Sequence, residues 1–378
     1  MYDWMAIISG AIIFLYLIHL ERNRWFFLNK RGDVFFDVID EKKISVVIAI
    51  RNEAKHLHQL LEALRKQDYP KNLYEVFIID DHSEDESVAI VETYIRKHTA
   101  FQLQLFRMEK RSHISPKQQA LKIGINNASG DIIATTDGDC IMGVNWLSEI
   151  NTNFSDENCM LLLGTVLFHN EHSLFEKFQS LEFLSIMGMT AGAAYQQKAS
   201  MCNGANLAYR KTLFENANHY NESVVASGDD VFLLFKVKKK HPKGIRFSSH
   251  KDHVVYTKAL ERINDFIQQR KRWASKTRVY KDFDALYSGA ITILINFLFV
   301  LLSFLSLLAK EYLIIFLFVA LIKGIVDYRI TYVMAKHFDK KPLLRYFIPE
   351  FLIYAYYVIL VGLLSFQKSY YWKGRKLQ

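Results

Sequence analysis

Short apolar runs alternate with amphipathic segments between residues 42 and 280. The β-branched run from Ile44 to Ile50 predicts a buried strand, and the leucines spaced along residues 52–66 predict a helix with one apolar face. The same alternation predicts strands over 75–79, 101–106 and 131–136, and helices over 85–97 and 117–127. Together these elements predict an α/β fold with a mostly parallel sheet covered by helices on both faces.

The amino-terminal run over residues 4–20 contains no Asp, Glu, Lys or Arg. Its length is at the short end of the range of about 17–25 residues that a helix needs to cross a bilayer. Basic residues follow the run, and this order places the next domain on the cytoplasmic side of the membrane: Arg22, Arg24, Lys30 and Arg31. We therefore expect residues 1–24 to form a transmembrane anchor.

Three apolar runs in the last third of the chain predict a second membrane domain over residues 285–378. They cover residues 285–309, 312–322 and 351–366. We expect the middle helix to end near Lys323; the alternative is a longer helix in which Lys323 pairs with Asp327, four residues away.

Counting four spans places the carboxyl terminus outside, whereas the basic tail over residues 368–378 favours the inside. Either one apolar run is re-entrant or interfacial, or the tail departs from the charge rule. The sequence leaves both alternatives open.

The composition of the chain excludes several classes of protein and of site. The chain is 51% hydrophobic and 23% charged, which is not the composition of a disordered protein. Cys140, Cys159 and Cys202 fit neither a disulfide framework nor a zinc site. His250 and His253 are expected at the surface, because no further metal ligands accompany them.

A formal net charge of +9 suits a phosphate-bearing ligand, an anionic membrane surface or a nucleic acid. Most aromatic residues lie in the apolar ends and the predicted core. A nucleic-acid interface needs aromatic side chains interleaved with a basic face, so no nucleic-acid partner is expected.

Carboxylates follow two strands of the predicted sheet. The second strand ends in Asp80 and Asp81, and the fourth is followed by Asp137, Gly138 and Asp139. Ligands of such sheets bind beyond the carboxyl ends of the strands, and carboxylate oxygens suit a hard divalent cation. The chain has neither a dinucleotide-binding glycine motif nor a P-loop.

Two further segments carry polar groups of interest. The Ser-Gly-Asp-Asp sequence that ends at Asp230 precedes a helical run; taken alone, it is more typical of a helix amino terminus. A predicted helix over 259–280 contains Gln269, Arg272 and Trp273. An arginine can clamp a phosphate and a tryptophan can stack on a sugar, although a basic helix can also lie on lipid head groups.

The order of these motifs resembles that of the membrane-bound family 2 glycosyltransferases, which include cellulose, hyaluronan and poly-N-acetylglucosamine synthases and ceramide glucosyltransferases. The motifs are Arg-Asn-Glu after the first strand, Asp-Asp-x-Ser, a lysine, Asp-Gly-Asp, Gly-Asp-Asp and Gln-x-x-Arg-Trp. The resemblance covers residues 42–280 and extends loosely to the flanking helices. It implies a cytosolic GT-A-like, Rossmann-type nucleotide-sugar-binding domain over those residues.

The resemblance also implies roles for the strand-end residues. Asp81 would hydrogen-bond the uracil of a UDP-sugar, with Asp80 beside it, and Lys117 would lie near the nucleotide. Asp137 and Asp139 would form the metal motif for Mg²⁺ or Mn²⁺, with Asp139 the more direct ligand and Asp137 also near the nucleotide.

The remaining roles fall later in the chain. Asp230 would be the general base, with Asp229 as a supporting acid. Gln269 and Arg272 would bind the diphosphate, and Trp273 would meet the acceptor.

The implied protein is an integral membrane hexosyltransferase of the plasma (inner) membrane that takes part in cell-envelope glycan synthesis. It would move a sugar from a nucleotide-sugar to a lipid-linked or other membrane acceptor, with inversion to a β-linkage. A processive polysaccharide synthase with a glycan acceptor is the alternative, although four hydrophobic helices are few for a polysaccharide channel. An inactive membrane scaffold is an alternative from another class.

Overall fold

A seven-stranded mixed sheet forms the centre of the protein. The computed structural model describes residues 2–30, 40–109, 116–215, 229–366, 370–372 and 375–377. The strands are β1 Ile44–Ile50, β2 Tyr74–Asp80, β3 Leu103–Arg107, β4 Ile132–Thr135, β5 Ile141–Met142, β6 Leu161–Gly164, β7 Val166–Phe168, β8 Leu207–Arg210, β9 Ile245–Ser248, β10 Val255–Thr257, β11 Tyr370–Trp372 and β12 Arg375–Leu377.

The strand order in the central sheet is β3-β2-β1-β4-β8-β6-β9. Strand β8 pairs antiparallel with both of its neighbours, and the other pairings are parallel. A smaller sheet has the order β5-β10-β7, and β11 pairs with β12 in a two-stranded unit. The four strands predicted from the sequence are β1 to β4, so the prediction of a mostly parallel α/β sheet is confirmed.

Twelve helices surround or extend from this sheet in the part of the chain that the structure describes. They are α1 Tyr2–Leu28, α2 Ala54–Arg65, α3 Ser87–Lys97, α4 Pro116–Asn127, α5 Trp146–Phe154, α6 Leu174–Tyr195, α7 Thr212–Glu215, α8 Asp229–Lys240, α9 Ile263–Lys276, α10 Phe283–Leu305, α11 Lys310–His337 and α12 Phe347–Leu364. Short 3₁₀ segments cover Lys251–His253, Thr277–Val279 and Lys341–Tyr346.

The predicted apolar face of α2 is confirmed, because its four leucines are buried: Leu57, Leu60, Leu61 and Leu64. Helix α4 packs closely on the sheet at Gly124. A Cβ atom there would lie 2.3 Å from Val47 Cγ1 of β1. A glycine is therefore needed for this helix to approach the strand so closely.

Three helices of the described residues are long and apolar enough to cross a membrane: Asp3–Leu28, Phe283–Leu305 and Lys341–Leu364. The expectation that the middle carboxyl-terminal helix ends near Lys323 is wrong, since α11 continues to His337. The Lys323 side chain is fully buried and donates to Asp327 at 2.6 Å. Pairing with the partly exposed Asp327 compensates the cost of burying the Lys323 charge, and this lets the helix continue past it.

Helix α6 lies between the sheet domain and the long apolar helices. It packs on β7 and β9 on one side and on α1 and α11 on the other. Ser173 and Glu176 form a capping box at its start. The helix thus joins the sheet domain to the long apolar helices. It approaches α11 closely at Gly188, where a Cβ atom would lie 2.8 Å from Met334 Cγ.

His253 differs from the expectation of a surface position. Its side chain is 1% exposed, and burial lowers its pKa to about 3. The two ring nitrogens contact no hydrogen-bond partner among the described residues. The pattern of polar neighbours in the sequence is misleading here, because the 3₁₀ segment turns this one residue inward.

We predict that Gly192→Ala destabilises the protein by about 1–3 kcal/mol. A Cβ atom at this position would lie 2.3 Å from the Asn23 carbonyl oxygen of α1, and neither backbone can move easily. Gly289→Ala is the matched control, because a Cβ there meets no atom within 4 Å. Thermal unfolding in detergent checks the pair; equal melting temperatures for both variants would contradict the close packing of α6 on α1.

We predict that stability falls as the pH drops from about 6.5 towards 3, with His253 contributing at most about 1.4 kcal/mol per pH unit. The folded-state pKa of His253 is depressed, so below pH 6.5 the unfolded chain binds a proton that the folded chain does not. His253→Phe should flatten this slope, whereas His58→Gln, at an exposed position, should not. Melting temperatures measured across this pH range test the difference, and an unchanged slope in His253→Phe would rule it out.

Candidate active site

Asp80 and Asp81 lie at the carboxyl end of β2, as predicted. Both are buried, with 4% and 3% exposure. The Asp80 carboxylate accepts from the Ser83 backbone N–H at 3.2 Å, and the Asp81 backbone N–H donates to the Ile50 carbonyl at 2.9 Å. The Asp81 carboxylate also lies 3.1 Å from the Nδ1 atom of His82. The two acids are therefore held in fixed positions at the sheet edge.

The loops that follow β1 and β2 are strained and tied together. Asn52 and His82 have φ angles of 53° and 54°, which non-glycine residues adopt infrequently. The Asn52 N–H donates to the Ser83 hydroxyl at 3.0 Å, and the Arg51 guanidinium donates to the Asp81 carbonyl at 2.8 Å. Such strain is typical of functional sites, where surrounding contacts hold it in place.

The Asp-Gly-Asp motif follows β4, in register with β1. Lys117 Nζ on α4 donates to Asp137 Oδ1 at 2.5 Å. The Thr257 hydroxyl donates to Asp139 Oδ2 at 3.2 Å. At Gly138 a Cβ would lie 2.8 Å from Glu53 Cγ, so only glycine lets the motif pass this close to the loop after β1. The structure thus brings Lys117 and the two predicted metal ligands together.

This set of donors fits a divalent metal ion of the hard type. Asp137 and Asp139 offer only carboxylate oxygens, and both side chains are partly exposed at the sheet edge. Lys117 places an ammonium group against Asp137, which shows that this position favours positive charge. A different trio of metal-ligand side chains also comes together, formed by Glu149, His250 and Asp252, and it includes none of the predicted site residues.

Asp230 lies close to the same lysine through a glycine turn. The Gly204 backbone N–H donates to Asp230 Oδ2 at 3.0 Å. A Cβ on Gly204 would lie 3.6 Å from Asp230 Oδ2 and 3.6 Å from Lys117 Nζ. The Thr135 hydroxyl of β4 donates to the Gly204 carbonyl at 2.8 Å, which anchors the turn to the sheet. The predicted base therefore lies beside the predicted metal motif.

Helix α9 brings Lys276 close to Asp230. Lys276 Nζ lies 4.0 Å from Asp230 Oδ1. Lys276 follows Gln269 by seven residues and Arg272 by four, so the three share one helical face. Lys276 was not predicted from the sequence, although its spacing from the Gln-x-x-Arg-Trp motif is a signal that could have identified it. The side chain of Asp229 and the preceding Ser227 and Gly228 lie outside the described residues.

The Trp273 ring, which the resemblance places near the acceptor, packs against other side chains of the protein. It lies 4.2 Å from the Arg270 guanidinium carbon and 6.1 Å from the ring centre of Phe183. Gln269 Oε1 accepts from Arg270 Nη1 at 2.5 Å. Arg270 is part of the same motif but was not predicted as a site residue. The sequence of the basic run over residues 270–272 does not indicate which of its cations is buried.

Two thiols beside the site are held in the protonated form. Burial, together with the Asp139 carboxylate, raises the pKa of Cys140 well above its usual value. Burial, together with Asp230, raises the pKa of Cys202 in the same way. A thiolate is the nucleophilic form of cysteine, so neither residue is suited to covalent catalysis.

Comparisons with known proteins agree with this arrangement. A family model described as glycosyl transferase family 2 matches residues 45–217. Glycosyltransferase AglE of Haloferax volcanii is 26% identical over 188 residues, which cover 49% of this chain and 58% of AglE. The human dolichyl-phosphate beta-glucosyltransferase is 29% identical over 133 residues, covering 32% of this chain and 40% of the relative. The chain thus spans less than two thirds of the length of these relatives.

The fold also matches a solved structure. The mannosyltransferase PcManGT from Pyrobaculum calidifontis, in complex with GDP-Man and Mn²⁺, superposes with a TM-score of 0.63 at 17% identity. The match covers 93% of this chain and 99% of PcManGT. At this identity the likeness establishes the fold, which is the GT-A type. A second family model, glycosyl transferase family group 2, matches residues 132–366, more than half of the chain. The protein therefore belongs to this family and is a family 2 glycosyltransferase.

Proposed function

We propose that the protein is a membrane-bound inverting transferase that moves a sugar from a UDP-sugar to a lipid-linked or other membrane acceptor. The observation that carries the proposal is the grouping of Lys117, Asp137, Gly204 and Asp230 around one edge of the sheet. This grouping provides charge for a nucleoside diphosphate on one side and a carboxylate base on the other.

Asp80 and Asp81 would hold the nucleotide base. They are buried, fixed by the loop after β2, and placed next to β1 by its parallel pairing with β2. A carboxylate in this position can accept from the imide N–H of uracil, and this agrees with a UDP-sugar donor. Lys117 and Asp137 would lie along the ribose and diphosphate, with Gln269 and Arg272 as further phosphate contacts from α9.

Asp137 and Asp139 would hold Mg²⁺ or Mn²⁺. When bound, such an ion neutralises charge on the departing diphosphate. The presence of Mn²⁺ in the complex of PcManGT, which has the same fold, supports a divalent cation here. The Lys117 ammonium, which contacts Asp137, would then turn towards a phosphate oxygen.

Asp230 would take the proton from the acceptor hydroxyl. Gly204 and Lys276 contact opposite oxygens of its carboxylate and would hold it in one orientation. The acceptor oxygen then attacks the anomeric carbon as the nucleotide leaves, and a single displacement inverts the configuration. An α-linked donor would give a β-linked product.

The acceptor assignment depends on the apolar helices beside the site. Helix α9, which carries Gln269 and Arg272, packs directly on α12, one of the three candidate spans. The name of the human relative, a dolichyl-phosphate beta-glucosyltransferase, is consistent with a lipid acceptor. Arg22 and Arg24, which follow the apolar run within α1, support a cytoplasmic catalytic domain at the plasma (inner) membrane.

The test is transfer of radiolabel from a panel of UDP-sugars, with and without Mn²⁺ or Mg²⁺, in membranes that contain the protein. We expect metal-dependent label in the lipid-extractable fraction, abolished by EDTA. Label in a large water-soluble product would instead favour the processive synthase with a glycan acceptor. Absence of transfer from every UDP-sugar in the panel would contradict the UDP-sugar assignment and favour another nucleotide donor or the inactive scaffold.

We predict that Asp230→Asn lowers kcat by about 10²–10⁴-fold, because the asparagine cannot accept the hydroxyl proton. UDP affinity, measured by calorimetry on the purified protein, should stay unchanged. Asp131→Asn is the control, since Asp131 is exposed next to the amino end of β4, opposite the site. Loss of UDP binding in a folded Asp230→Asn variant would contradict the assignment of Asp230 as the base.

A further inference from the structure

Arg270 forms a buried ion pair with Glu182 of α6. Its Nη2 atom donates to Glu182 Oε2 at 2.6 Å, and its Nε atom lies 3.2 Å from the same oxygen. Both side chains are 4% exposed. Arg272, two residues further along α9, is intermediate in burial and shares a helical face with Lys276.

The surroundings of Arg270 fix its guanidinium plane. The guanidinium carbon lies 4.5 Å from the ring of Phe266 and 4.2 Å from that of Trp273, which precede and follow it by about one helical turn. A buried ion pair loses the solvation of both charges, so a pair of this kind contributes to geometry more than to net stability. The stacking and the forked hydrogen bonds together leave one orientation for the group.

Helix α12 also contributes to this orientation. The Tyr357 hydroxyl donates to Glu182 Oε1 at 3.1 Å. The ring of Tyr357 lies 5.2 Å from that of Phe266 on α9. The carboxylate of Glu182 therefore accepts from two helices at once, and the position of α9 depends on both α6 and α12.

The remaining guanidinium nitrogen connects this ion pair to the predicted diphosphate site. Arg270 Nη1 donates to Gln269 Oε1 at 2.5 Å. Because the amide oxygen of Gln269 is engaged, the amide nitrogen is directed away from Arg270. That nitrogen is a donor, as a contact to a phosphate oxygen requires.

We propose that Arg270 is a positioning residue that orients the Gln269 amide towards the donor diphosphate, with Glu182 and Tyr357 holding Arg270 in place. The inference rests on the proposed function, in which Gln269 binds the diphosphate. Helix α12 would thereby influence nucleotide affinity, because its Tyr357 contacts Glu182 and Glu182 holds Arg270.

A double-mutant cycle tests this role. The variants are Gln269→Ala, Arg270→Lys and the two combined, with UDP affinity measured by calorimetry and kcat and KM measured for the donor. Lysine keeps the charge next to Glu182 but lacks the planar fork that also reaches Gln269. We expect each single change to weaken UDP binding about tenfold, and the double variant to be no weaker than Gln269→Ala.

Arg262→Lys is the matched control, because it makes the same exchange at an exposed position next to the start of α9. Its UDP affinity should equal that of the unaltered protein. If Arg270→Lys does not fold, as judged by gel filtration and melting temperature, Glu182→Asp takes its place in the cycle. Aspartate keeps the ion pair but draws the guanidinium away from Gln269.

The outcomes separate the inference from the function on which it rests. Losses that multiply in the double variant, or unchanged UDP affinity in a folded Arg270→Lys protein, overturn the positioning role alone. Unchanged affinity in Gln269→Ala overturns the diphosphate role of Gln269 and the inference with it. Losses confined to melting temperature, with UDP affinity and KM unaffected, reduce the ion pair to a structural contact.

Discussion

Parallel pairing of β1 with β2 and β4 is the constraint on which the site depends. Ile50 is paired with Asp80 and Val47 with Thr135, so the ends of three strands meet at one edge of the sheet. Asp80 and Asp137, more than fifty residues apart in sequence, therefore both lie at this edge. The antiparallel strand β8 adds the turn at Gly204 to the same edge, and that turn carries the contact to Asp230.

Grouping so many carboxylates is costly unless cations lie among them. Lys117 and Lys276 fill that need, one at Asp137 and one at Asp230. Lys117 lies on α4 and Lys276 on α9. In the proposed function, a divalent cation bound together with the nucleotide-sugar would replace the lysine contact at Asp137 without leaving this acid unpaired. One set of charges would thus be exchanged for another.

The sequence predicts the sheet and its acids well because both depend on local patterns. Apolar runs define β1 to β4, and the polar residues directly after them must lie at the strand ends. The course of α11 was mispredicted, because burial of Lys323 depends on Asp327 and on helices far away in sequence. His253 and Arg270 are similar cases: each is a polar residue whose burial is decided by tertiary contacts. Lys276 is an intermediate case. Helical spacing predicts which face of α9 it occupies, but only the fold shows that its partner is Asp230.

The position of α6 between the sheet and the long helices has a geometrical consequence for the choice of acceptor. Close contacts at Gly188 with α11 and at Gly192 with α1 restrict movement of the sheet domain relative to these helices. A catalytic domain on a flexible tether samples many heights above the lipid surface. In the proposed membrane-bound enzyme, this packing would fix the height and tilt of Asp230 relative to the lipid surface. An acceptor would then be selected by the depth at which it presents its reactive group as well as by its chemical identity.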